Sequence, residues 1–137
     1  MGIGNRRAIA GRVMAGCIAA LTACAPALAD DLVGTWVTPP DGKGIIGHIE
    51  VTPCGGMAVC GVIASTYDSQ GKQVVTRNIG VRIFWDMVRV DRNRWQGMAY
   101  VPLYKKTYRG EITLNGNRAK VGGCFGPICK SQVWKRL

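Results

Sequence analysis

His48 is the only histidine among the 137 residues, so a Ser-His-Asp or Cys-His arrangement could be built only around it. Glu50 follows two residues later and shares a face with His48 in an extended segment, where a carboxylate could orient the imidazole. The remaining acidic residues are few and scattered. Asp41 and Asp68 sit in turn-forming sequences, and no paired-carboxylate spacing, phosphate loop or dinucleotide fingerprint occurs. His48 and Glu50 therefore read as a polar strand pair, and the chain as a non-enzymatic protein with no cofactor, no catalytic residues and no metal site.

Cysteine is the second reactive type. Cys54 with Cys60, and Cys124 with Cys129, form two local pairs that flank the glycine turns Gly55-Gly56 and Gly126-Pro127. Of the six cysteines, the four that lie beyond residue 29 admit three pairings, and chain entropy assigns roughly 2 kcal/mol to each short loop but about 4 to a long-range bridge. Energy alone does not choose. Proximity across each turn favours the two local disulfides, and the gap between Cys54 and Cys60 exceeds the usual spacing of structural zinc ligands.

Basic and aromatic residues interleave at Arg89, Arg92, Arg94, Trp95, Tyr104, Lys105, Lys106, Tyr108 and Arg109, the mixture that single-stranded nucleic acid uses. Strand alternation would split these side chains between two faces, which argues against a nucleic-acid partner. Trp36 near the start and Arg136 near the end carry a different implication. If the first and last strands pair to shut a barrel, the Arg136 cation lies across the Trp36 ring, a contact worth roughly 0.5 to 2 kcal/mol.

The elements that would position these residues are strands. Val33 to Thr38 ends at the turn Pro39-Pro40-Asp41-Gly42, and Ile45 to Thr52 has period two, with Ile45, Gly47, Ile49 and Val51 on one face. Val59 to Thr66, Val81 to Val90 and Trp95 to Val101 follow, with Gln73 to Arg77 as a candidate short strand. Tyr108 to Leu114 places Tyr108, Gly110, Ile112 and Leu114 inward, and Asn115-Gly116 is a favoured hairpin turn. Arg118 to Cys124 and Lys130 to Arg136 complete seven to nine short strands, which favour a sandwich or a closed barrel. The fold expected is all-β: a small antiparallel up-and-down barrel of about eight strands with two local disulfides. Such a barrel holds side chains or one small ligand. Small inward residues, Gly47, Gly110 and either Gly97 or Ala99, would leave part of the lumen open beside Trp85, Ile112 and Leu114.

Residues 1–29 have the layout of a secretory signal: Arg6, Arg7 and Arg12, an uncharged run of 11 residues from Val13 to Ala23, and the small-x-small site Ala27-Leu28-Ala29. Crossing a membrane as a helix takes roughly 20 apolar residues, so this run is no transmembrane span. Leu21-Thr22-Ala23-Cys24 also resembles a lipobox, which offers a second route through lipidation at Cys24. Cutting after Ala29 leaves a single domain, residues 30–137, with 15 basic and 8 acidic residues and a net charge of +7. The basic residues are scattered, with no run that marks a binding tail.

Val33-Gly34-Thr35-Trp36, Asp41-Gly42-Lys43-Gly44, Pro53-Cys54-Gly55 and Cys60-Gly61 precede Lys106-Thr107-Tyr108, the Gly123-Cys124 to Cys129 segment, Ser131-Gln132 and Trp134-Lys135-Arg136. Together they resemble the small exported bacterial proteins grouped as domain of unknown function 2147, over essentially all of residues 30–137. The departure is Val101-Pro102-Leu103-Tyr104-Lys105, where that family usually has an acidic, glycine-containing turn. The resemblance implies a calycin-like barrel, the architecture of lipocalins, and a periplasmic or envelope location, and it implies no activity. The function expected is binding of a small apolar or amphipathic ligand. The alternatives are an interaction module, such as an inhibitor or partner of an envelope enzyme, and a structural envelope protein. Protein recovered from the periplasm is expected to begin at Asp30 on intact-mass and N-terminal analysis; an acylated chain beginning at Cys24 would establish the lipobox route instead.

Overall fold

Glycine and proline interrupt the chain too often for a helix to propagate, while the β-branched and aromatic residues between them suit a pleated surface. A computed structural model describes residues 2, 4, 11–13, 15–22 and 30–137, and its regular elements are all strands. The expected cleavage site at Ala27 to Ala29 and the candidate lipidation residue Cys24 lie outside the described residues. The strands are β1 (Gly34–Val37), β2 (Ile46–Gly55), β3 (Ala58–Tyr67), β4 (Gln73–Val74), β5 (Arg82–Asp91), β6 (Arg94–Val101), β7 (Lys106–Asn115), β8 (Arg118–Phe125) and β9 (Ile128–Arg136).

Eight of them close a ring in chain order, β1-β2-β3-β5-β6-β7-β8-β9 and back to β1, with every neighbour antiparallel; β4 only flanks the end of β3. This is the up-and-down barrel that the strand count implied, and both local disulfides, Cys54–Cys60 and Cys124–Cys129, are formed. The connections alternate between two ends. Tight turns after β2, β5 and β7 mark the lower end; the longer segments after β1 and β3, with the turns after β6 and β8, mark the upper end.

The lower half is solid. Trp36, Ile49, Val51, Val59, Met87, Trp95 and Ile112 are each at most 1% exposed, and residues 30–33 cross beneath them as a plug. Leu32 is buried in that plug, and its carbonyl accepts a 2.9 Å hydrogen bond from Trp36 Nε1. Asp30 accepts from Trp95 Nε1 at 3.2 Å, and Asp31 pairs with Arg89 at 2.6 Å. Close packing here requires missing side chains as well as large ones. A Cβ on Gly61 would collide with the Phe84 ring that lies over it, so glycine lets that ring reach across the lumen towards Trp134, 6.2 Å between centroids.

The ring is weakest at its seam. β1 has four residues, and it meets β9 at only two register pairs, Trp36 with Arg136 and Val37 with Lys135. Arg136 compensates with its side chain: the guanidinium lies 4.3 Å from the Trp36 ring centroid and donates to the carbonyls of Val33 (3.2 Å) and Asp31 (2.6 Å). One cation thus joins the last strand, the first strand and the plug. Trp36→Ala is expected to lower unfolding stability by about 3 to 5 kcal/mol as a core truncation, and Arg136→Gln by about 1 to 3 through loss of the stacked, doubly bonded cation. Urea denaturation followed by tryptophan fluorescence reads both; a native-like midpoint for both variants would show that the seam does not depend on this contact.

Candidate functional site

Above the Phe84–Trp134 layer the same barrel is hollow. Inward positions of the upper half are occupied by Gly47, Gly110, Gly123, Ala99 and Thr66, and these residues line a cavity of about 1030 Å³ open at the upper end. Its floor is apolar, made by Ile49, Ile63, Phe84, Met87, Val121 and Trp134. The indole Nε1 of Trp134 is buried and has no hydrogen-bond partner among the described residues. The two ends of one barrel therefore follow different packing rules, set by inward side-chain size.

The mouth is shaped by loops that brace themselves. In the β1–β2 connection, Asp41 Oδ1 accepts from the amides of Lys43 (2.8 Å) and Ile45 (2.9 Å), an Asx turn that fixes the Pro39-Pro40 bend. Asp68 does the same for Gln70 and Lys72 after β3, and Thr66 Oγ1 donates to the Val74 carbonyl at 2.6 Å. Cys124–Cys129 clamps the β8–β9 hairpin that carries Phe125 and Ile128, exposed to 60% and 61% beside the opening. Tyr108 meets Phe125 edge-on at 5.6 Å, and the Lys106 ammonium lies 4.9 Å from the Phe125 ring.

The residues singled out in the sequence fall in three places. Trp36 and Arg136 meet at the lower seam. Ile112 is buried in the solid lower half, and Leu114 packs against that core from further down β7. Neither they nor Trp85 lines the cavity. Trp85 is displaced by a bulge: Asp86 has φ 50°, and the extra residue moves Phe84 into the inward place that strict period two would give Trp85. Trp85 instead faces outward beneath Arg82, whose guanidinium is 5.0 Å from its ring centroid.

His48 also faces away from the lumen. Its ring makes a tilted contact with Tyr67, 4.3 Å between centroids, while Glu50 accepts from the Thr35 hydroxyl at 2.9 Å. The basic and aromatic segment is divided between the two ends: Trp95 and Arg89 at the plug, Tyr104, Lys106 and Tyr108 at the mouth. Among the described residues no group of three or more histidine, cysteine or carboxylate side chains could hold a metal, and no helix is long and apolar enough to cross a membrane. The open side of the site, along β9, carried no separate signal in the sequence. It follows from the brevity of β1, which stops at Val37 and leaves β9 from Ile128 to Trp134 paired to β8 alone.

No curated protein and no solved structure matches the chain. Residues 34–136, from the first residue of β1 to the last of β9, match a family described as uncharacterized protein conserved in bacteria (DUF2147). The matched span includes every strand of the ring and both disulfides, and the chain belongs to that family.

Proposed function

We propose that this protein is an exported, non-catalytic carrier that holds one small apolar or amphipathic molecule in the upper lumen. The observation that carries the reading is the cavity of about 1030 Å³ with its apolar floor. Sites for small organic ligands occupy about 300 to 1000 Å³ and are mostly apolar with a few placed polar groups. Binding would cover apolar surface that water now meets, worth about 25 cal/mol per Å² before the costs of association. Self-braced loops and the clamped β8–β9 hairpin favour a pre-formed site, which limits the ordering cost. Two disulfides fit an oxidising compartment such as the periplasm.

A second reading, docking of an envelope protein on the mouth, draws on the exposed Leu103, Phe125 and Ile128, of which Leu103 is 81% exposed. The two differ in what blocks them. Ala99 points into the hollow half from β6, so Ala99→Trp fills the lumen without touching the outer rim. Saturable binding of an apolar fluorescent probe by the wild-type protein is expected to fall at least about tenfold in affinity in this variant, as when one ring-sized ligand group loses its place. Unchanged probe affinity in a folded Ala99→Trp protein, or no saturable binding to the wild type across an apolar panel, would overturn the lumen reading.

A further inference from the structure

Four cationic residues, Lys43, Arg77, Lys106 and Lys130, border the cavity, and two acidic residues, Asp41 and Glu111. Both carboxylates are engaged elsewhere. Asp41 caps its own turn through the amides of Lys43 and Ile45, and Glu111 accepts from the side chain of Gln96 at 3.1 Å. None of the four cations forms a salt bridge among the described residues, where the ion pair present is Arg89 with Asp31 at the opposite end. The four cations outnumber the two carboxylates and pair with neither, so an excess of positive charge stands over an apolar well.

Two of these cations are held in place by aromatic groups. Lys130 Nζ donates to the Tyr104 hydroxyl at 3.1 Å and lies 5.3 Å from that ring's centroid. Tyr104 belongs to the β6–β7 turn and Lys130 to β9, with β7 and β8 between them, so the contact reaches over the inner face of two strands. Along that face Tyr108 and Phe125 make their edge-on contact, and Lys106 stands against Phe125. Two ammonium groups thus flank an aromatic wall that leads down into the cavity.

Resting on the lumen reading above, we infer that the ligand is a single-tailed anionic amphiphile, its headgroup bound by Lys130 and Lys106 and its tail in the upper lumen. A carboxylate or phosphate oxygen takes charge-assisted hydrogen bonds from an ammonium, the stronger class of such bonds. Each lysine keeps donors free, since an ammonium carries three and Lys130 gives one to Tyr104. That hydrogen bond also raises the Lys130 ammonium above its ordinary pKa. A neutral or cationic headgroup would leave the excess positive charge at the mouth unmatched. The cavity, at the upper end of the range for organic ligands, accommodates an alkyl tail as well as a head.

Titration of the full chain with dodecanoate, dodecyl phosphate and dodecanol, each below its micelle concentration, separates headgroup from tail. Both anions are expected to bind at least about tenfold tighter than the alcohol, the scale of one charge-assisted hydrogen bond, and to weaken with added salt. The better of the two anions identifies the source as carboxylate or phosphate. In the double variant Lys106→Met with Lys130→Met the preference is expected to vanish while dodecanol affinity stays within about twofold, because both positions are exposed and stem packing is preserved. Equal binding of alcohol and anions, or a preference that survives both substitutions, would overturn the headgroup assignment and leave the lumen reading standing. Failure of all three to bind would remove the lumen reading itself.

Discussion

The Arg136 guanidinium, stacked on Trp36 and bonded to two carbonyls of the plug, ties the barrel's last strand to its first at the seam where the ring closes. A sheet closes only if its first and last strands meet, and here they meet over two register pairs. Backbone pairing of that extent is little more than a bridge. The side chain of Arg136 adds what the short ladder lacks, because a planar cation can lie flat on an indole and still direct its N–H groups sideways. Its partners come from residues 31–36, so closing the ring and seating the plug are one event. Burial of Leu32 and the bond from Trp36 Nε1 to its carbonyl follow from the same placement.

Closure at the lower end also determines why the upper end is open. β1 is cut short after Val37 by Thr38 and the Pro39-Pro40 bend, and proline cannot donate to a ladder. Below that point β9 is sealed; above it, β9 has a partner on one side. The lumen follows the same division. Where two tryptophans and the rings and branched chains around them fill the interior, no ligand-sized space is left. Where glycine, alanine and threonine face inward, an eight-stranded ring retains a hollow. Phe84 and Trp134 form the floor between the two regimes, and Phe84 reaches its place because Gly61 has no side chain to exclude it.

Strand positions, the turn chemistry, both disulfides and the meeting of the first and last strands were legible in the sequence, because each depends on local pattern or on two distinctive residues. Period two in Tyr108 to Leu114 correctly separated inward from outward side chains. The identity of the lumen wall was less legible. In β5 a bulge at Asp86 breaks the alternation, and nothing in Trp85-Asp86-Met87 announces it: Asp86 is a non-glycine residue at positive φ. Ile112 and Leu114 face inward as the pattern indicates, but inwardness does not tell the filled half from the hollow one. That distinction needs the height of each residue along the axis, which depends on the stagger between strands. The clustering of Lys106, Tyr108, Phe125 and Lys130 from three strands is a product of the same stagger, with Tyr104 joining them from the β6–β7 turn.

An exposed strand edge invites pairing with another chain, and proteins blunt such edges with lysine, proline or covering segments. The upper part of β9 fits that description, since Ile128, Val133 and the neighbouring Phe125 are exposed apolar residues on or beside an edge with one free side. Lys130 places charge along it, and the Pro39-Pro40 bend follows directly on the end of β1. Lys130 acts in two directions at once. Its backbone belongs to the open edge, while its side chain extends inward to Tyr104 and the mouth. The charge that discourages another strand from adding at the edge is therefore the same charge that raises the positive potential at the entrance.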